Sequence, residues 1–447
     1  MNVTRGAGPP AGRRRTTIVL DGTPLLGRRT GVGRYTEHLL AGLARLAADG
    51  GGTDGSSGTD GSSGTDGSSG TDGSGGTGAS WDLAATAFTW RGLDELAGSL
   101  PPGVRVAARR APARLLHETW IRGEHPPVEW LTGPADVVHG TNFVLPPLRR
   151  ARGVVTVHDL SYLRTPDTVS AASARYSDLV PRGLRRASAV LTPSRAVADE
   201  VISAYRLDPA LVTPTPLGVD DAWFDTAVPT ASWRREHGLP ERYLLFVGSV
   251  EPRKNLPVLL EAVRRLHAAR VGAPPLVLVG PPGWGPTLDL AGLPAGSVVT
   301  AGYLDADRLR ATVAGASVLC FPSRYEGFGL PPLEALAAGI PVVAADIPTV
   351  REVVGELLAV AEGAGAGTGA GGAARSAVAT AARSGSPVRL VRQADRNSFA
   401  DDLAEAIIDL LESPGDADAG RRHARSFTWA RTANLTAAVY RRVAESA

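Results

Sequence analysis

The sequence predicts an α/β protein made of two Rossmann-like, doubly wound parallel-sheet domains with a cleft between them. Three observations carry this. Continuous, β-branched apolar runs alternate with amphipathic helical patterns, as parallel strands covered on both faces require. The runs come in two series, one beginning at residue 16 and one at 242, divided by the polar stretch 219–241. A chain of 447 residues with 43% apolar content is too long for one ordinary domain and apolar enough for two cores.

Residues 1–15 carry a basic cluster with no apolar stretch behind it, so they read as a disordered lead and not as a signal peptide. "TTIVLD" (16–21) is the first buried strand and residues 33–48 the helix after it. A six-residue repeat of glycine, serine, threonine and aspartate then fills 52–74. It has no core residue, so an insert over 49–80 is expected to be a flexible loop. "DLAATAF", "VRVAA", "DVVHGT", "GVVTVHDL" and "SAVLTPS" continue the strands of a first domain spanning 16–225. The second domain, 226–426, supplies "RYLLFVGS", "PLVLVGP", "VVTAGYL", "SVLCFPS" and "PVVAAD". A second low-complexity insert covers 361–386, and the pattern leaves open whether "ELLAV" before it or "VRLV" after it forms the next strand. A final helical segment occupies 427–447.

Bulk properties exclude several function classes. A net charge of +2 calls for no nucleic-acid partner. No run approaches the 18 apolar residues of a membrane-spanning helix. The arginines at 109–114 and 149–152 offer a thin basis for peripheral membrane contact, with a solvated face as the plainer reading. A single cysteine, Cys320, forms no intrachain disulfide and suits a reducing cytoplasm. Its apolar setting makes it a small core residue.

Of the 47 basic residues, all but one are arginine. The lone lysine is Lys254, in "GSVEPRKN" (248–255), where a strand runs through a loop into a helix that Asn255 is placed to cap. A helix N-terminus attracts anions through free N–H groups and its dipole. Arg253 offers a planar fork and Lys254 a compact charge, a pair suited to two adjacent phosphates. The plainer alternative is a solvated pair of loop cations.

The stretch "PSRYEGFGLPPLEALAAG" (322–339) repeats the strand–loop–helix plan. Gly327 and Gly329 permit tight turns. Pro331 and Pro332 suit a first helical turn, in which Glu334 is also expected. Backbone N–H groups near Gly329 and Leu330 form a second anion cradle. Phosphate would repel Glu326 and Glu334, so these carboxylates are expected to meet hydroxyl groups of the same ligand. Cations for a diphosphate and acceptors for a polyol describe a nucleotide-sugar. A dipole-complementing glutamate is the alternative for Glu334, and a loop surface charge the alternative for Glu326.

In "TGVGRYT" (30–36) the third glycine of a dinucleotide fingerprint is replaced by Thr36, so Gly31 and Gly33 read as a loop approaching phosphate and not as an NAD site. His158 and Asp159 follow one strand; His139, Thr141 and Asn142 follow another. For both histidines a structural role is the alternative to ligand contact. No metal is expected, because no histidine spacing suits one. Asp305 reads as a helix cap, and Asp416 and Asp418 as part of a helix-breaking loop.

At these residues the chain resembles the retaining glycosyltransferases of family 4, which have the GT-B fold. The likeness runs over 16–48, 81–356 and 387 onward. It rests on "TGVGRYT", the His158–Asp159 pair, "GSVEPRKN", the two glutamates of "EGFGLPPLEA", "TPSRAV" and "PLGVD". The resemblance implies that Gly31 and Gly33 approach the donor phosphates and that His158 touches the donor sugar. It implies that Arg253 and Lys254 bind the diphosphate and assist its departure. Glu326 would hold sugar hydroxyls and Glu334 the ribose, with Gly327, Phe328, Gly329 and Leu330 completing the donor site. His158, Arg253, Lys254 and Glu326 form the implied catalytic set. The last helix resembles one that crosses back to the first domain.

"HGTNF" and "VTVHDLSYL" look most like mannosyl- or rhamnosyltransferases of cell-envelope polysaccharides, with GDP-mannose as donor and a glycan or lipid-linked acceptor. The resemblance implies no cofactor and a metal-independent reaction in the cytoplasm or at the inner face of the membrane. A two-domain sugar-nucleotide epimerase and a non-catalytic sugar-nucleotide-binding protein are the alternatives.

Overall fold

The computed structural model describes residues 15–49 (except 28 and 30), 81–170, 173–358 (except 286) and 385–446. The expected lead and both low-complexity inserts lie outside these residues, apart from their edges. At one edge Asp49 ends the first long helix, Gly31–Asp49. At another, Ser386 is buried and accepts the Val388 N–H, so the second insert stops short of it.

Two parallel sheets form. The first contains β1 (Thr16–Asp21), β2 (Trp81–Thr86), β3 (Val104–Val106), β4 (Val137–Gly140), β5 (Arg152–Thr156), β6 (Ala187–Thr192) and β7 (Val212–Pro214), in the order β3-β2-β1-β4-β5-β6-β7. The second contains β8 (Leu244–Val247), β9 (Leu276–Val279), β10 (Val298–Gly302), β11 (Val318–Phe321), β12 (Val342–Ala345) and β13 (Val388–Val391), in the order β10-β9-β8-β11-β12-β13. "VRLV" therefore supplies the strand that the pattern left open, pairing Val342 with Val388 through Ala345 with Val391. "ELLAV" does not supply it, because the helix Pro348–Leu358 runs into that segment.

The chain divides into two compact units: Met1–Val155, Arg182–Ala189 and Ala433–Ala447 make one, Thr156–Pro181 and Val190–Thr432 the other. In the second unit, β11 and β12 are buried along their whole length, as their unbroken apolar sequences demand. The helix Leu256–Ala269 buries Leu259, Val263 and Leu266, each 0% exposed, and packs beside the helix Arg396–Glu412. Burying one such side chain contributes about 1.5–3 kcal/mol.

The strand order reverses direction between β8 and β11, with Val318 beside Leu244 and Leu319 beside Leu245. Such a switch point opens a crevice at the carboxyl ends of the strands. The loops leaving those two ends are residues 248–255 and 322–329, the two motifs of interest. Among the described residues, no helix is long and apolar enough to cross a membrane.

Candidate functional site

Beyond β8 the chain turns at Gly248, whose φ is +151°. A Cβ there would lie 2.8 Å from Lys254 Cδ and 2.9 Å from Cε, so the glycine makes the channel in which the lysine stem runs. Pro252–Lys254 forms one 3-10 turn, and the helix starts at Leu256. Asn255 does not cap it as expected. It sits in the left-handed region, φ +57°, and its side chain makes no cap hydrogen bond. Asparagine serves here because it tolerates positive φ.

The two cations are not solvated: Lys254 is buried, at 8% exposed, and the Arg253 side chain is largely enclosed, at 17%. Glu326, 9% exposed, receives both. Its Oε2 lies 2.6 Å from Arg253 Nη1 and its Oε1 3.0 Å from Lys254 Nζ. Ser323 Oγ also donates to Oε1, at 2.8 Å. Arg253 Nε reaches a second buried carboxylate, Glu251 Oε2, at 3.0 Å, and Ser249 Oγ donates to the other oxygen of Glu251. Two cations thus meet two carboxylates, which is how four charges survive burial. Burial pushes the Glu326 carboxyl up, but the charges and hydrogen bonds of Arg253 and Lys254 outweigh it and hold it at about 2. Desolvation pushes Arg253 down, but the carboxylates of Glu326, Glu251 and Asp159 outweigh it and keep the guanidinium well above its ordinary range. Sequence reasoning put Glu326 against hydroxyl groups; in this structure both its oxygens face the cations.

Glu334 is also buried, at 4% exposed. It lies in the second turn of the helix Leu330–Ala337, not the first as expected, because Leu330 and the two prolines fill the opening turn. The dipole effect fades beyond the first turn, which weakens the helix-end reading. Gly329, at φ +109°, gives the backbone its sharp entry to this helix. Phe328 is buried edge-on against Phe427, with ring centroids 6.0 Å apart, and Leu330 is buried too.

His158, 9% exposed, lies two residues beyond β5 and belongs to the same unit as Glu326. A Cβ on Gly327 would fall 1.9 Å from the His158 carbonyl oxygen, so only glycine fits there. Tyr325 and Ser194, both missed by sequence reasoning, hold the same junction. Tyr325 Oη accepts from Leu160 N at 2.8 Å, and Ser194 Oγ donates to the Gly327 carbonyl at 2.9 Å. Gly248 and Glu251 lie inside the quoted motif but carried no chemical signal of their own. Ser323 could have been noticed as a hydroxyl three residues before Glu326.

Gly31 and Gly33 open the first helix of the other unit. They differ in kind. A Cβ on Gly33 would meet Pro24 O at 2.7 Å, so packing explains that glycine, whereas nothing lies within 4 Å of one on Gly31. His139 lies within β4, not after it, is 0% exposed, and its Nδ1 is 2.6 Å from Tyr440 Oη. It is a satisfied core histidine. Asp305 caps its helix by accepting from Arg308 N, as expected. Asp416 also caps a helix, Ala417–Ala424, where the sequence suggested only a loop. Its carboxylate accepts from the N–H groups of Asp418 and Ala419.

Two Rossmann-like parallel sheets with acid–base clusters at the switch point define a GT-B glycosyltransferase fold. Family models described as "Glycosyltransferase Family 4" and "Glycosyl transferases group 1" match residues 89–223 and 241–373, together more than half of the chain. The chain belongs to this glycosyltransferase family. It is 32% identical over 233 residues to O-antigen chain mannosyltransferase B of Escherichia coli, covering 51% of this chain and 61% of that protein. It is 32% identical over 272 residues to the MMP alpha-(1->4)-mannosyltransferase of Mycolicibacterium hassiacum, covering 59% and 56%. The matched stretch thus spans about three-fifths of these relatives' length. Among solved structures, sucrose-phosphate synthase from Thermosynechococcus elongatus superposes with a TM-score of 0.62 at 18% identity, over 97% of this chain and 100% of that one, a likeness of fold.

Proposed function

We propose that this chain is a retaining glycosyltransferase. It would move a hexose, with GDP-mannose the first candidate donor, to a hydroxyl of a glycan or lipid-linked acceptor in cell-envelope synthesis. The observation that carries this reading is the largely enclosed Arg253–Lys254 pair at the switch point, anchored on Glu326 and next to the His158 turn. The two mannosyltransferase relatives support mannose as the transferred sugar.

Arg253 and Lys254 take up the charge that grows on the diphosphate as the glycosidic bond breaks, a role that needs no metal. They are already oriented, so little reorganisation accompanies the reaction. An ionised carboxylate has about four lone-pair sites. Lys254, Ser323 and Arg253 occupy three on Glu326, which leaves about one for a sugar hydroxyl. His158 donates to the sugar or its acceptor from the neighbouring turn. The acceptor attacks on the face that the diphosphate leaves, which gives retention without an enzymic nucleophile. We place the reaction in the cytoplasm, which the single buried cysteine suits.

The test starts with thermal melts against a panel of nucleotide-sugars, because a donor that binds only the folded state raises the midpoint. The stabilising donor is then followed by mass spectrometry with candidate acceptors. Lys254→Ala is expected to lower transfer about 10²-fold or more, as loss of one charge-stabilising donor does. Wild-type turnover in that variant would overturn the assignment, and isomerised sugar from donor alone would make the protein an epimerase.

A further inference from the structure

The turn carrying His158 and the loop carrying Glu326 are joined by a side chain of that loop to which the sequence assigned no role, Tyr325. Tyr325 has a contact at each end. Its carbonyl accepts from Arg253 Nη1 at 3.2 Å, and its hydroxyl accepts from the Leu160 N–H at 2.8 Å, two residues past His158. The hydroxyl also donates to Glu200 Oε2 at 2.6 Å. Glu200 lies on the helix Arg195–Tyr205, and the cap residue of that same helix, Ser194, holds the Gly327 carbonyl. One helix thus fixes the 325–327 segment at two points, and that segment meets the histidine turn at two more: Tyr325 Oη bonds Leu160 N, and Gly327 passes close against His158 O.

We propose that Tyr325 is a positioning residue that sets His158 relative to Arg253 and Glu326, with Glu200 fixing the direction of its hydroxyl. This rests on the transferase reading above. The geometry is directional. Glu200 accepts the only hydroxyl proton, so the oxygen's lone pairs are left for Leu160 N–H. Burial first, then the nearby carboxylates Asp159 and Glu200, push the phenol above its ordinary range and keep that proton in place. Leu160 is 0% exposed, so water does not replace the lost acceptor when the hydroxyl is removed. The same stretch is also held by Val157 N, which donates to the Leu191 carbonyl at 2.9 Å, and by Asp159 Oδ1, which accepts from Ser161 N at 2.9 Å.

Two variants test this, Tyr325→Phe, which deletes only the hydroxyl oxygen, and Glu200→Gln, which keeps shape but removes the charge. The first readout is hydrogen exchange of the peptide containing Leu160, which needs no substrate. Exchange at least about tenfold faster in Tyr325→Phe is expected, since protection follows local opening. The second is steady-state transfer. The kcat of Tyr325→Phe should fall between about tenfold and the roughly 10²-fold that a 1 Å misplacement costs, with donor KM unchanged because the diphosphate cations stay in place. Glu200→Gln should move both readouts in the same direction. The third is a double variant: His158→Ala with Tyr325→Phe should be no slower than His158→Ala alone, because the tyrosine acts through the histidine. Unchanged exchange at Leu160, an unchanged kcat, or multiplying losses in the double variant would each overturn the proposal. A wild-type protein that transfers no sugar refutes the function, while the exchange readout still decides whether the hydroxyl holds the turn.

Discussion

Replacing Glu326 by glutamine keeps the shape of the side chain and deletes the charge on which two buried cations rest. The size of the effect follows from the carboxyl's descent from the ordinary 4.5 to about 2. Each unit is worth about 1.4 kcal/mol, so the ionised form stabilises the fold by about 3 kcal/mol. The folded value lies below the unfolded one. The stabilisation is therefore complete above pH 4.5 and drains away as the pH falls toward 2. At pH 3 about 2 kcal/mol of it is gone. The glutamine variant has nothing to titrate there. It also suffers a penalty for two under-neutralised cations, roughly constant over this window. The assay is urea unfolding of both proteins at pH 7 and pH 3. The stability gap should shrink by about 2 kcal/mol between the two conditions. Parallel losses in both proteins would refute the claim that Glu326 is the ionised partner of Arg253 and Lys254.

Other outcomes are expected from single contacts. Gly327→Ala puts a methyl group into the His158 carbonyl, and thermal melting should show a loss of about 1–3 kcal/mol, the range for overpacking. Cys320 is 0% exposed and burial pushes its thiol up to about 12, so a thiol reagent at pH 8 should leave the native protein untouched and label one site in urea. Transfer, once a donor is identified, should be unchanged by excess EDTA; a loss restored by one divalent metal would reject the metal-free mechanism.

Much of this was legible in the sequence because doubly wound sheets couple strand order to site position. "LLFV" and "VLCF" read as buried strands, and the motifs immediately after them are at the switch point for that reason. The partnership of Glu326 with the cations was not legible. It joins residues 72 positions apart, and the like charge of carboxylate and phosphate pointed only to the sugar. Asn255 failed as a cap because sequence specifies residue type and not φ, and asparagine suits both a cap and a left-handed turn. Tyr325 was invisible for a similar reason: its value lies in Leu160 and Glu200, more than a hundred residues away along the chain.

Lys254 is the chain's single lysine and is almost wholly enclosed. Amine-directed chemistry therefore has one side-chain target in this protein. Acylating reagents and lysine-specific proteases, which peel most proteins at dozens of surface positions, address this molecule at one interior address. Acylation beyond the chain terminus thus reports on the accessibility of this one site.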